Sequence, residues 1–133
     1  MIAAWQRATH RVLAALDAEL ADLGLSAAEV NALAALADGP RTARALAEAT
    51  AQRPSTLTGV LDRLERRGLV ARHPNPADRR SVLIAPTPAG RERVTRVAAA
   101  FAAVEARIAP HAPAGDVRAL LGAVEAALGP TDA

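Results

Sequence analysis

The chain has 133 residues, 16 basic and 14 acidic, with a formal net charge of +2 and no cysteine. That length supports one modest core, and the missing thiols exclude a disulfide framework, a thiolate metal site and a thiol redox switch. Alanine dominates the apolar half and Trp5 and Phe101 are the only aromatics, so the expected fold is mainly α-helical, with a thin core that favours burial against a second copy.

Ile2, Trp5, Thr9, Val12, Leu16 and Leu20 recur every three or four residues and predict a first helix over about residues 2–22. Gly24 stands where a C-terminal cap falls. Ser26 with Glu29 three residues on forms a capping box for a second helix, whose Val30, Leu33 and Leu36 face inward. Gly39-Pro40 ends it. Thr42 is the N-cap of a short third helix reaching about Thr50, with Ala45, Leu46 and Ala49 inward.

After the turn Ala51-Gln52-Arg53, Pro54 opens a fourth helix that buries Leu57, Val60, Leu61 and Leu64, and Gly68 stops it. Leu69–His73 and Ser81–Ala85 read as short strands around a mobile tip containing Pro74, Asn75, Pro76, Asp78 and Arg79. Thr87-Pro88 launches a long helix with Val94, Val97, Phe101, Val104 and Ile108 on a narrow seam suited to another helix. Pro110 and Pro113 break that helix. A last one, from about Asp116 to Leu128, carries Val117, Leu120, Leu121, Val124 and Leu128 inward.

Charge is unevenly placed. Residues 41–96 hold twelve arginines against five acids, a balance of +7, whereas residues 1–40 and 97–133 are net acidic. A localised basic patch is the footprint of a polyanion partner; a solvated arginine-rich surface is the other reading. The outward face of the fourth helix presents Ser55, Thr56, Gly59, Asp62, Arg63 and Arg66, flanked by Thr58. Short hydroxyls and arginine at the start of such a helix suit base edges and phosphates in a major groove. Gly59 permits close approach. Asp62 and Arg66 are spaced to pair with each other. On the tip, Arg79 and Arg80 suit a narrow minor groove, and Asp78 orients an arginine.

The run Leu46-Ala47, Ser55-Thr56-Leu57-Thr58, Leu61-Asp62-Arg63-Leu64-Glu65-Arg66-Arg67-Gly68-Leu69-Val70, Asp78-Arg79-Arg80 and Thr87-Pro88-Ala89-Gly90 resembles the MarR family of bacterial regulators. The resemblance implies a homodimeric winged helix-turn-helix fold, mainly α with a small two- to three-stranded β wing. Residues 1–24 and 88–133 would be dimerisation helices and 26–87 the DNA-binding core. It makes Arg53 to Arg67 the recognition helix and Leu69 to Ala85 the wing. Asp78 and Arg80 fall on the wing's Asp-x-Arg, the arginine reaching the minor groove and the aspartate bracing it. The DNA-binding set on this reading is Thr42, Arg53, Ser55, Thr56, Thr58, Gly59, Arg63, Arg72, Asp78, Arg79 and Arg80.

Two departures stand out. Pro86-Thr87 replaces the family's Leu-Thr, which removes an apolar anchor and a backbone N–H. Gly59 stands where a larger, often polar residue is common.

The expected partner is double-stranded DNA carrying a pseudo-palindromic operator, bound by a homodimer whose half-sites lie about one turn, roughly 34–36 Å, apart. The resemblance also implies a repressor relieved by a small anionic or aromatic effector, with Trp5, His10 and Arg11 near its cleft; dimer-interface core is the favoured reading of Trp5. An effector-independent regulator and a winged-helix protein-interaction module are the alternatives. No cofactor, metal or catalytic site is expected, since His10, His73 and His111 are scattered and no nucleophile or phosphate-loop motif occurs. With no leader and no apolar run near about 18 residues, a cytoplasmic protein with no membrane partner is expected.

Overall fold

The computed structural model describes residues 1–112 and 116–128, so Pro113 lies outside the described residues. Six helices surround a small sheet: α1 (Ile2–Leu20), α2 (Ala27–Ala35), α3 (Ala43–Thr50), α4 (Pro54–Arg66), α5 (Pro88–Ile108) and α6 (Asp116–Leu128). The strands are β1 (Arg41–Thr42), β2 (Val70–Pro74) and β3 (Val82–Pro86), antiparallel in the order β1-β3-β2.

Local chemistry sets most boundaries. α1 tightens into a 3₁₀ turn, Ala21–Leu23, that ends where Gly24 turns left-handed at φ 60°. Both halves of the Ser26–Glu29 capping box are present on α2. Thr42 Oγ1 accepts the Ala45 amide at 3.1 Å and starts α3. Pro54 occupies the first turn of α4, and Gly68, at φ 68°, follows its C-cap Arg67. The two wing strands lie one residue later than the sequence predicts. β1, only two residues long and outside that prediction as a strand, pairs Arg41 with Ile84 and Thr42 with Leu83.

Leu20, Leu23, Leu33, Leu36, Leu46, Leu57, Val60, Leu61, Leu64, Ile84 and Val97 form one continuous core under the helix-turn-helix. The inward stripe of α4 is the one expected. On α3 Ala49 is exposed, and Ala47 packs on the core in its place.

The two ends of the chain differ from expectation. Leu16 and Leu20 of α1 join the core, but Ile2, Val12 and Leu13 are exposed. On α6, Val117, Leu120, Leu121 and Leu128 are exposed rather than inward, as is Ile108 at the end of α5. Their periodicity is that of a buried face, but no described residue of the same chain covers them.

The junction of β3 and α5 explains the Thr87-Pro88-Ala89-Gly90 motif. Thr87 Oγ1 donates to the Gly68 carbonyl at 2.6 Å and accepts the Gly90 amide at 3.0 Å, while the Thr87 amide donates to the Leu69 carbonyl at 3.0 Å. Gly90 is buried directly against that carbonyl. The apolar anchor that Pro86 was expected to remove is present, because the proline is half-buried with its Cβ against Gly90.

Two substitutions test this reading of the backbone. At Gly90 a methyl group would land inside van der Waals contact of the Leu69 carbonyl oxygen, so Gly90→Ala should cost about 3 kcal/mol or more in chemical denaturation. Ala51 is the one non-glycine residue with positive φ (52°) among the described residues. Left-handed geometry costs an alanine about 1–2 kcal/mol, and added chain entropy returns about 0.4–1 kcal/mol of it. Ala51→Gly should therefore raise the denaturation midpoint slightly.

Candidate nucleic-acid interface

α4 begins with Arg53 in extended backbone geometry, and no side chain caps its first turn. The helix therefore opens with free amides, which favour an anion. Ser55 and Thr56 on that turn are exposed, and neither hydroxyl bonds to another described residue. Thr58 Oγ1 donates back to the Pro54 carbonyl at 2.9 Å and keeps its lone pairs free to accept. Arg53, Ser55, Thr56 and Thr58 thus share one open end of α4. Thr42 is apart from them in role: it is half-buried and its hydroxyl is engaged in capping α3.

Farther along α4 the charged side chains are tied down on both flanks. On the α2 side, Glu29 is the one buried charged residue among the described residues, at 5% exposure. Its Oε1 accepts Arg63 Nε at 3.1 Å, and its Oε2 accepts Arg67 Nη1 and the Ser26 amide, each at 3.3 Å. Arg67 also donates to the Leu23 and Gly24 carbonyls at 3.0 Å each. Arg63, expected on the outward face, is anchored there through Nε, with about half of its side chain exposed.

On the wing side, Arg72 of β2 donates to Asp62 at 2.8 Å and to Glu65. The hydrogen bond with Asp62 and the charge of Glu65 raise the Arg72 pKa above its ordinary value, against the lowering effect of partial burial. Arg72 was expected in the DNA-binding set, and here its guanidinium is engaged by two carboxylates. The expected pairing of Asp62 with Arg66 is corrected too: Arg66 Nε donates to the Asp62 backbone carbonyl at 3.3 Å, and the carboxylate goes to Arg72.

The tip between β2 and β3 is knitted by hydrogen bonds rather than loose. Asn75 Oδ1 accepts the Ala77 amide at 3.0 Å, Asn75 Nδ2 donates to Ser81 Oγ at 2.8 Å, and Asp78 Oδ1 accepts the Arg80 amide at 2.9 Å. Both are side-chain turns of the Asx kind. Asp78 therefore braces the backbone of Arg80 and makes no ion pair with a guanidinium among the described residues. Arg79 and Arg80 stand exposed, with no carboxylate partner among the described residues.

Two other expectations concern the first helix. An open groove of about 360 Å³ is lined by Ile2, Trp5, Gln6, Thr9, His10 and Leu13; Arg11 is not part of it. Among the described residues no group of histidines and carboxylates could hold a metal, and no helix is long and apolar enough to cross a membrane.

Sequence reasoning missed Glu29 and Arg67 as a tertiary link. The available signal was Arg63 and Arg67 at i and i+4, which puts two guanidiniums on one flank of α4 in need of an acid. Nothing local identified Glu29 as that acid, since it lies 34 and 38 residues away.

The chain as a whole is similar to known proteins. The MarR family model matches residues 23–81. A transcriptional regulator of that family from Silicibacter pomeroyi is 31% identical, with 93% of this chain and 84% of that one covered and a TM-score of 0.73. The chain belongs to the MarR family. CouR from Rhodococcus jostii RHA1, solved bound to p-coumaroyl-CoA, is 29% identical over 96% of this chain and 91% of its own, with a TM-score of 0.82. The HTH-type transcriptional repressor NicR from Pseudomonas putida is 35% identical over 86 residues, 64% of this chain. The chain spans about half the length of the curated relatives it matches, or less.

The Arg67 link yields a stability prediction. Arg67→Ala strips the donor from two carbonyls and half the compensation from a buried carboxylate, and should cost about 1–3 kcal/mol. Arg66→Ala, whose guanidinium meets one exposed carbonyl, should stay within about 0.5 kcal/mol of the parent. Urea unfolding of the two variants measures the difference.

Proposed function

We propose that this MarR-family chain is a dimeric, sequence-specific DNA-binding transcriptional regulator that acts as a repressor. The observation that carries the reading is the pairing of an uncapped, hydroxyl-bearing α4 start with a hydrogen-bonded wing tip whose Arg79 and Arg80 guanidiniums meet no carboxylate among the described residues. Ser55, Thr56, Thr58 and Arg63 face the major groove of duplex DNA. Arg53 and the α4 amides meet phosphate, and Arg79 and Arg80 reach the flanking minor groove and backbone. Asp78 serves by holding the Arg80 backbone. Thr42 contributes through α3, and Arg72 through the angle between wing and α4.

Residues 26–87 form the reading unit. Residues 1–24 and 88–133 form the dimer interface, a role supported by the exposed Ile2, Val12, Ile108, Val117, Leu120 and Leu121 at both ends of the chain. Two copies place two reading units on a pseudo-palindromic operator, and simultaneous engagement multiplies affinity.

Release follows from a small anionic or aromatic effector. Support comes from the groove at Trp5 and His10 on α1, which packs on α5, and from CouR, solved with an aromatic acyl thioester bound. Such a ligand acts only by preferring one spacing of the two α4 helices over the other. The regulator works in the cytoplasm and is no enzyme.

A salt titration on the promoter region of the chain's own gene tests this. Binding should weaken steeply with salt as phosphate contacts release counterions. Arg80→Ala should weaken it about ten-fold and flatten the slope by about one, with the dimer intact by analytical ultracentrifugation. The reading fails if no duplex binds above the non-specific level, or if Arg80→Ala leaves both affinity and slope unchanged.

A further inference from the structure

We propose that Arg63 is the guanine-reading residue of α4, and that Glu29 and Gly59 fix its guanidinium for that task. The inference rests on the DNA-binding reading and narrows it to one side chain and one base.

Gly59 leaves the middle of the outward α4 face without a side chain, and a glycine inside a helix costs stability. The structure shows what that gap accommodates. Arg63 Nη1 lies 3.6 Å from where a Cβ on Gly59 would stand. The guanidinium therefore folds back one turn and fills the position that Gly59 vacates. A methyl group would fit beside it at ordinary contact distance, but a longer side chain would take its place.

Glu29 holds it there. Oε1 accepts Arg63 Nε alone, and Oε2 is occupied by Arg67 and the Ser26 amide. Arg63 cannot close a two-point fork on this carboxylate. Its four Nη hydrogens have no acceptor among the described residues, and half of the side chain is exposed. A planar guanidinium tied at Nε presents its Nη edge as a pair of donors with their spacing fixed, and N7 and O6 of guanine are the base acceptors that match it. The side chain has already lost much of its rotamer freedom before any partner arrives, so less is lost on binding.

Charge does not cancel the effect. One carboxylate between two guanidiniums leaves the cluster net positive. The other arginines near this face are held differently: Arg72 closes on two carboxylates, and Arg66 leans on the carbonyl of its own helix. Glu29 is thus a positioning residue, Gly59 the space, and Arg63 the reader.

The test uses the full chain and duplexes that it enriches from a randomised pool. Each guanine in the enriched sequence is replaced by 7-deazaguanine, which lacks the N7 acceptor. At one guanine per half-site the replacement should weaken wild-type binding about ten-fold and leave Arg63→Ala unaffected. Glu29→Gln keeps the shape and removes the charge, and should shrink the same discrimination several-fold. Gly59→Ala should preserve it and Gly59→Leu abolish it; both residues favour helix, so loss of folding does not confuse the comparison.

The salt slope of Arg63→Ala should match wild type. The proposal is overturned if every 7-deazaguanine is felt equally by wild type and Arg63→Ala. It is overturned equally if Arg63→Ala flattens the slope by about one, the mark of a phosphate contact. A pool yielding no enriched duplex removes the DNA-binding reading and this inference together. Enrichment that Arg80→Ala weakens, with no deazaguanine effect specific to Arg63, removes this inference alone.

Discussion

A carboxylate taken out of water must be matched by positive charge and hydrogen bonds, and Glu29 imposes that requirement on three helices at once. Its backbone position is set by the capping box that starts α2. Its oxygens collect Arg63 and Arg67 from α4, and Arg67 carries the connection on to the carbonyls of Leu23 and Gly24, where α1 runs out. Removing one member leaves a buried charge or orphaned carbonyls, which is far costlier than the modest net gain from forming the set. The angle of α4 against the α1–α2 elbow is therefore a consequence of electrostatics as much as of the leucines beneath it. Those leucines are less particular. Leu57, Val60, Leu61 and Leu64 would be satisfied by any orientation that buried them, since apolar burial has no direction.

The opposite flank of α4 repeats the device with the signs exchanged. There a cation, Arg72, sits between two carboxylates, Asp62 and Glu65, and ties the wing to the helix. The two clusters are separated by helical spacing: Arg63 and Arg67 lie on one side of the outward face, Asp62 and Glu65 on the other. The wing's own geometry is supplied locally by Asn75 and Asp78. Helix, wing strand and wing tip are thus held in turn, each by a polar contact with a direction. That is what a surface needs if it is to meet a partner of fixed shape.

What the sequence made legible was whatever is encoded within about one helical turn. Ser26 with Glu29, Thr42, Pro54, Thr87-Pro88 and Gly68 each act on neighbours three or four residues away, and each does in the structure what its chemistry demands. The inward stripe of α4 was legible for the same reason. Contacts that close over longer stretches were not. Glu29 showed its local capping role and hid its tertiary one, and nothing near Arg72 in the chain pointed to its acids, which lie on another element. β1 was missed because two residues carry no alternation to recognise. α6 shows a different limit: amphipathic spacing reveals that a face is apolar, but it does not say whether the cover comes from the same chain.

The segment from 41 to 96 carries a balance of +7, yet that number overstates the charge open to a polyanion. Six of its twelve arginines, Arg41, Arg44, Arg63, Arg67, Arg72 and Arg96, are in ion pairs with described carboxylates. The pairs divide the arginines by task. Those that meet acids on another element, Arg63, Arg67, Arg72 and Arg96, set angles between elements, and those without acids, Arg53, Arg79 and Arg80 among them, supply attraction that salt would screen. Arg63 belongs to both groups, since its Nε is committed and its Nη end is not. Net charge counts all of these arginines alike. A residue's availability is decided instead by which of its nitrogens the fold has already used.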